Sequence, residues 1–120
     1  MKPIKIMFVC HGNICRSPLA EFVLKHMVKQ RGIEDQFIIN SSGTSSEEEN
    51  NPIYRRIVDT LNKYEIPFED HRAVQLQKSD YPNYDYFIGM DKVAGDSRLT
   101  KSIWLFYVPG QLLILTGLPM

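Results

Sequence analysis

The chain has 120 residues, of which 43% are hydrophobic and two are cysteines, and its 14 basic residues balance 14 acidic ones. This length suits one domain that buries roughly two-thirds of the surface of its unfolded chain, so we predict a single domain over residues 1–120. The zero net charge argues against a nucleic-acid-binding protein, which needs a basic surface. The charge is unevenly spread, because every charged residue precedes Ile103.

The two cysteines, Cys10 and Cys15, lie five positions apart near the start of the chain. Small secreted domains carry several well-separated cysteines, so this spacing favours a reducing compartment. The apolar run over residues 6–9 is too short for a signal peptide. We therefore expect a cytoplasmic protein.

The first elements in the chain are a strand and a helix. Residues 4–9 form a mostly apolar run that is typical of a buried strand. In the segment that follows, Ser17 is the predicted N-cap of a helix, Pro18 its first residue, and Gly32 the residue that ends it in the left-handed conformation.

Strands and helices continue to alternate along the chain. Residues 37–41 predict a second strand, residues 42–51 a polar loop, and Pro52 the start of a second helix that runs through Leu61. Residues 84–89 predict another strand. Because strands separated by helices form parallel sheets, we predict an α/β fold: a three-layer sandwich with a short parallel sheet of about four strands, flanked by helices, and a loop after the first strand.

Chemically active residues concentrate in that loop, whose sequence over residues 10–17 is Cys-His-Gly-Asn-Ile-Cys-Arg-Ser. A loop between a strand and a helix N-terminus gathers backbone N–H groups and the positive end of the helix dipole. Gly12 and Asn13 suit the close approach and left-handed backbone of such an anion-binding loop. Arg16 offers a fork for two phosphate oxygens, and the same field stabilises the thiolate form of Cys10. The sequence thus predicts a nucleophile that faces a bound anion.

This segment resembles the low molecular weight protein tyrosine phosphatase family. The most specific part of the resemblance is Val-Cys-His-Gly-Asn-Ile-Cys-Arg-Ser-Pro at residues 9–18. Residues 40–44, 70–73 and 85–91 resemble further segments of the family. The resemblance implies a protein tyrosine phosphatase that hydrolyses phosphotyrosine through a cysteinyl-phosphate intermediate.

The resemblance also implies roles for individual residues. Cys10 is the implied nucleophile, and Arg16 acts with the loop amides to bind the phosphate. Ser17 is implied to stabilise the thiolate and to assist its departure. The implied phosphate-binding residues are His11, Gly12, Asn13, Ile14, Cys15, Arg16 and Ser17.

Further implied residues support or regulate the loop. Ser41 and His71 are implied to hydrogen-bond to Asn13, and Cys15 to form a reversible disulfide with Cys10 under oxidation. No metal and no cofactor is implied. The implied ligands are a phosphotyrosine-containing protein or a small aryl phosphate, together with phosphate or other oxyanion inhibitors.

The chain departs from the family at the general acid. The family uses an Asp followed by Pro and an aromatic residue, because a phenolate with a pKa of about 10 leaves poorly without a proton. Here Asp96, between Gly and Ser, is the only aspartate after Asp91. We therefore expect impaired catalysis and an incomplete C-terminal part, with residues 92–120 divergent from the family through truncation or a changed reading frame.

The uncharged residues 103–120 have their own predicted roles. Residues 103–108 predict a further buried strand, and residues 112–115 either pair with it or stay exposed. Interruptions such as Pro109 and Gly110 argue against a membrane span, which needs about 20 apolar residues. An apolar tail of this kind is a predicted surface for self-association.

Several alternatives remain open at this point. A non-catalytic remnant that binds phosphate or phosphotyrosine fits the missing acid, whereas a thiol-dependent arsenate reductase needs resolving cysteines beyond Cys10 and Cys15. A zinc site formed by Cys10, His11 and Cys15 lacks a second ligand pair. The acidic residues 47–49 form either a solvated loop or, as the resemblance implies, a substrate-facing rim that selects basic substrates.

Overall fold

Strands and helices alternate through the first part of the chain. The computed structural model describes residues 2–89, 102–108 and 111–115, so Asp91 and Asp96 lie outside the described residues. The elements are β1 (Ile4–Cys10), α1 (Arg16–Gln30), β2 (Phe37–Gly43), α2 (Arg55–Lys63), β3 (Tyr86–Gly89), β4 (Ser102–Val108) and β5 (Gln111–Leu115), with 3₁₀ turns at Glu34–Gln36 and Lys78–Asn83.

The strands form one sheet in the order β2-β1-β3-β4-β5. The first four are mutually parallel, and β5 turns back antiparallel to β4. The predicted α/β fold with a parallel sheet is confirmed, and β5 extends that sheet. The register places Cys10 opposite Gly43 and Val9 opposite Gly89, so the carboxyl ends of β1, β2 and β3 lie at the same edge of the sheet.

Successive side chains of β1 pack on opposite faces of the sheet, as expected for a strand. Ile6 and Phe8 pack with Val28 of α1, and Met7 and Val9 pack with Phe87 of β3 on the other face. That second face is covered by Leu76, Tyr81 and Tyr84. A third cluster joins the two helices through Phe22, Ile53 and Leu61. The residues of β1 are therefore held on both sides up to the point where the loop begins.

Both helices end in the same backbone motif. After α1, Gly32 has φ +70°, its amide donates to the Lys29 carbonyl, and the next amide donates to the Val28 carbonyl. The predicted left-handed ending at Gly32 is confirmed. After α2, Glu65 occupies the equivalent position with φ +55°, a conformation that costs less for glycine.

The predicted helix starts are wrong. Helix α1 begins at Arg16, and no side chain caps it. Ser17 is the second residue of the helix, and its hydroxyl bonds to side chains of the loop instead of capping the helix. Helix α2 begins at Arg55 because Pro52 forms a β-bridge with Arg72. In the part of the chain that the structure describes, no helix is both long and apolar enough to span a membrane.

Candidate active site

The loop begins where β1 ends at Cys10 and closes where α1 begins at Arg16. It is fastened to the segment that follows β2, which the parallel register brings alongside it. Three backbone amides, from Thr44, Ser45 and Tyr54, donate to the carbonyls of Cys10, His11 and Ile14 at 2.9, 3.0 and 2.8 Å. The loop backbone is therefore held by a neighbouring segment as well as by its two ends.

The sulfur of Cys10 lies in a polar setting, although only 3% of the residue is exposed. The Asn13 amide donates to Sγ at 3.2 Å, and Ser17 Oγ lies 2.9 Å from Sγ. The Ser17 hydroxyl has a single proton, and the Ser42 carbonyl is a second acceptor at 3.4 Å. A thiol at Cys10 donates to Ser17 Oγ, whereas a thiolate accepts the Ser17 proton. The site therefore offers the anionic sulfur two donors.

Asn13 is fully buried and has φ +58°, so the left-handed position of the loop is at Asn13. Its side-chain amide makes four hydrogen bonds, which is its full capacity. Nδ2 donates to Ser17 Oγ at 2.8 Å and to Ser41 Oγ at 3.0 Å, and Oδ1 lies 3.0 Å from both the Val74 amide and His71 Nε2. Because a backbone amide can only donate, the Val74 contact fixes which atom is the oxygen.

His71 holds both the side chain and the backbone of Asn13. Its Nε2 lies 3.0 Å from the side-chain oxygen of Asn13 and 3.2 Å from its backbone carbonyl. Both of these atoms are acceptors, so Nε2 carries the proton. The ring also packs edge-on against Phe22 of α1, with the ring centroids 6.3 Å apart. His71 thus braces the loop by polar and aromatic contacts.

Glu21 belongs to this arrangement, although the sequence pattern did not single it out. The residue is 5% exposed, accepts the Ser41 hydroxyl at 2.6 Å, and pairs with Lys25 at 2.6 Å. His71 Nδ1 lies 3.9 Å from the same carboxylate. The available signal was spacing, since Glu21 follows Ser17 by one helical turn on the face that turns toward the sheet.

Gly43 is a second residue whose importance only the structure reveals. A Cβ atom added there would lie 2.7 Å from the His11 carbonyl oxygen and 3.2 Å from Asn13. Contacts below 3.0 Å do not occur for real side chains, so the loop packs against β2 only because residue 43 is glycine. At Gly12 a Cβ atom would instead meet the flexible side chain of Glu48 at 3.3 Å.

The outer side of the loop carries residues of both charges. His11 is exposed, and its Nε2 lies 3.4 Å from the Glu47 carboxylate, while Arg16 is exposed at the start of α1. Burial raises the pKa of the Cys15 thiol; negative charge at Cys10 and at Glu48 raises it further, and the Arg16 guanidinium opposes them. Among the described residues, no group of three or more His, Cys, Asp and Glu side chains is arranged to hold a metal ion.

The structure brings Cys10, Asn13, Ser17, Ser41 and His71 into one connected group, and Cys15 and Arg16 adjoin it. A family model described as low molecular weight phosphotyrosine protein phosphatase matches residues 5–102. The chain belongs to this family. Among curated relatives in this phosphatase family, it is 42% identical to the Schizosaccharomyces pombe protein over 91 residues, which is 75% of this chain and 58% of the relative.

The human member of the phosphatase family is 38% identical over 87 residues, which is 72% of this chain and 54% of the relative. The chain therefore spans little more than half the length of these curated relatives. Among solved structures, that of YfkJ from Bacillus subtilis matches with a TM-score of 0.80 and 28% identity, covering 87% of this chain and 70% of that one.

Proposed function

We propose that this chain hydrolyses phosphotyrosine or other aryl phosphate monoesters with Cys10 as the nucleophile. One observation carries the proposal: Sγ of Cys10 lies within hydrogen-bonding distance of the Asn13 amide and the Ser17 hydroxyl, at the end of β1 where the loop that leads into α1 begins. Two donors stabilise an anionic sulfur, and the helix N-terminus favours a phosphate in front of it. A nucleophile and its target would then occupy the same loop.

In the first step, the Cys10 thiolate attacks phosphorus, the bond from phosphorus to the aryl oxygen breaks, and a cysteinyl-phosphate forms. In the second step, water attacks the phosphorus, the bond from sulfur to phosphorus breaks, and phosphate and the thiolate are released. We assign Arg16 and the amides of residues 11–17 to binding the phosphate oxygens. Free phosphate and other oxyanions would then act as competitive inhibitors.

We further propose that turnover of phosphotyrosine is impaired, because residues 92–120 carry no Asp-Pro-aromatic segment. A phenolate leaves slowly when no general acid protonates it, and such an acid is worth roughly 10²–10⁴ in rate. Phosphorylated nitrophenol releases a less basic phenolate and should suffer less. The selectivity between these two substrates would therefore report on the acid.

The test is a phosphatase assay of the 120-residue chain beside Cys10→Ser, with phosphotyrosine and with p-nitrophenyl phosphate. We expect turnover that disappears in Cys10→Ser and that strongly favours the nitrophenyl ester. Turnover that survives Cys10→Ser would refute the nucleophile. Equal kcat for both substrates would refute the missing acid.

The second candidate is a non-catalytic module that binds phosphate or phosphotyrosine. The same missing acid favours it, because a phosphate-binding loop does not need one. Vanadate or phosphate binding without any turnover that depends on Cys10 would select this function over the first.

The proximity of Cys10 and Cys15 in one loop supports a reversible redox switch. Peroxide would oxidise the two thiols to a disulfide and be reduced to water, and a dithiol would reverse the change. We infer a single domain over residues 1–120 in the cytoplasm, with residues 92–120 divergent from the family. The edge strand β5, in an uncharged part of the sequence, supports self-association of the chain.

A further inference from the structure

Glu21 is a buried carboxylate that lies outside the loop yet touches both residues that brace it. Oε1 accepts the Ser41 hydroxyl at 2.6 Å and lies 3.9 Å from His71 Nδ1. Oε2 accepts the Lys25 ammonium group at 2.6 Å, and the side chain of Lys25 is 37% exposed. The ion pair thus connects the partly exposed ammonium group of Lys25 on α1 to the buried Glu21 carboxylate in the site.

Glu21 determines the direction in which Ser41 donates. The Ser41 hydroxyl has one proton, and the carboxylate oxygen that faces it can only accept, so this proton points to Glu21. The lone pairs of Ser41 are then directed at Asn13 Nδ2, which lies 3.0 Å away. If Glu21 were lost, the hydroxyl could rotate, and Asn13 would lose an oriented acceptor.

Asn13 carries the effect onward to the sulfur of Cys10. Its amide lies 3.2 Å from Sγ, and the surrounding bonds stabilise its left-handed backbone at φ +58°. The contacts therefore form one continuous path from Lys25 through Glu21, Ser41 and Asn13 to Cys10. Every link in this path is a hydrogen bond of 3.2 Å or less.

The charge of Lys25 is needed because a buried carboxylate without a counter-charge is unstable. When the ammonium group is removed, the Glu21 carboxylate gains by turning toward water. That movement weakens its contact with Ser41. Lys25→Arg would keep the positive charge and the ion pair with Glu21, so it is the conservative variant.

We propose that Glu21 and Lys25 form a positioning pair that sets the conformation of the phosphate loop from outside it. The pair controls both the affinity of the loop for phosphate and the reactivity of Cys10, and Lys25 is its surface-accessible member. This inference rests on the proposed function only in taking phosphate as the ligand of the loop. It assigns no chemical step to either residue.

The experiment measures binding of inorganic phosphate and the rate of Cys10 carboxymethylation by iodoacetate, with the modified cysteine identified by peptide mass spectrometry. The variants are Glu21→Met, Lys25→Met and Lys25→Arg. Lys29→Met is the matched control, because it removes one lysine charge from an exposed position on the same helix. Circular dichroism shows whether each variant is folded at the assay temperature.

We expect the dissociation constant for phosphate to rise about tenfold in Glu21→Met and about threefold in Lys25→Met, since hydrogen bonds to charged groups are among the stronger ones. Lys25→Arg should restore the value, and Lys29→Met should leave it unchanged. If Glu21→Met does not fold, the three lysine variants decide the question. Phosphate affinity and Cys10 reactivity in Lys25→Met that match Lys29→Met would overturn the inference.

The outcome separates this inference from the function it rests on. If phosphate does not bind to the unaltered chain, or does not slow the carboxymethylation of Cys10, the proposed phosphate site itself fails. If phosphate slows the carboxymethylation of Cys10 but Lys25→Met and Lys29→Met have the same phosphate affinity and the same Cys10 reactivity, only the positioning pair fails.

Discussion

Replacing Asn13 tests whether the loop is held by its left-handed backbone and by the four side-chain bonds around it. Asn13→Ala removes all four bonds and places a residue with a Cβ, but no local polar group, at φ +58°. Asn13→Gly removes the same bonds but accepts that backbone conformation without strain. The two variants therefore separate the backbone contribution from the side-chain contribution.

The magnitude follows from counting which partners are left without a bond. Three partners retain another hydrogen bond: Ser17 to Cys10, Ser41 to Glu21, and His71 to the backbone carbonyl of residue 13. The Val74 amide loses the acceptor it has in the structure, so the lost bonds cost about 2 kcal/mol together. Alanine in the left-handed region adds about 1 kcal/mol.

We therefore expect the free energy of unfolding to fall by about 3 kcal/mol in Asn13→Ala and by about 2 kcal/mol in Asn13→Gly. Both variants should still fold, because domains of this kind have about 5–15 kcal/mol of stability. Urea unfolding followed by circular dichroism measures the difference. If Asn13→Ala is at least as stable as Asn13→Gly, the strain argument is refuted, and if both match the unaltered chain, the bond network contributes nothing.

Three further predictions concern other positions. Gly43→Ala should destabilise the chain by about 1–3 kcal/mol in urea unfolding, because its Cβ would meet the His11 carbonyl at 2.7 Å, whereas Gly12→Ala should be tolerated. Cys10→Ser removes the charge at Cys10, which is one of the causes of the raised pKa of the Cys15 thiol. In this variant, iodoacetamide should still modify Cys15 with a midpoint at higher pH than for an exposed cysteine, because burial raises the pKa of this thiol. A lower midpoint would contradict the assignment. Glu65→Gly should raise the free energy of unfolding by about 1 kcal/mol by relieving a left-handed residue at the end of α2, and Glu65→Ala should bring no gain.

The sequence was sufficient where the deciding interactions are local. The strand before Cys10, the loop and the left-handed ending of α1 at Gly32 all follow from a few neighbouring residues, because steric limits on φ and strand periodicity act over short distances. The apolar run over residues 103–108 likewise predicted the strand that appears as β4, whereas pairing of residues 112–115, which form part of β5, was one of two alternatives that the sequence left open. For Ser41 and His71, which lie 28 and 58 residues from Asn13, resemblance to a family was needed.

The helix starts show where local rules fail. Serine is a preferred helix cap, yet the hydroxyl of Ser17 bonds to Cys10 and Asn13. The buried thiol and the buried amide compete for this hydroxyl more strongly than the helix end does. Pro52 similarly lies in a β-bridge with Arg72, and α2 begins three residues later. In both cases a contact made in the folded chain outweighed the local preference for starting a helix.

What the sequence by itself determined is the class of fold and the loop that carries Cys10, because both are written in contiguous residues. The tertiary structure alone decided that Glu21 is a buried partner of Ser41 and that Gly43 must lack a side chain. The physical reason is the parallel pairing of β1 with β2, whose register sets Gly43 against Cys10 and brings the end of β2 under the first turn of α1. Neither contact exists until that register is formed, so the spacing of Glu21 from Ser17 can place it on the same helix face but cannot reveal its bond to Ser41.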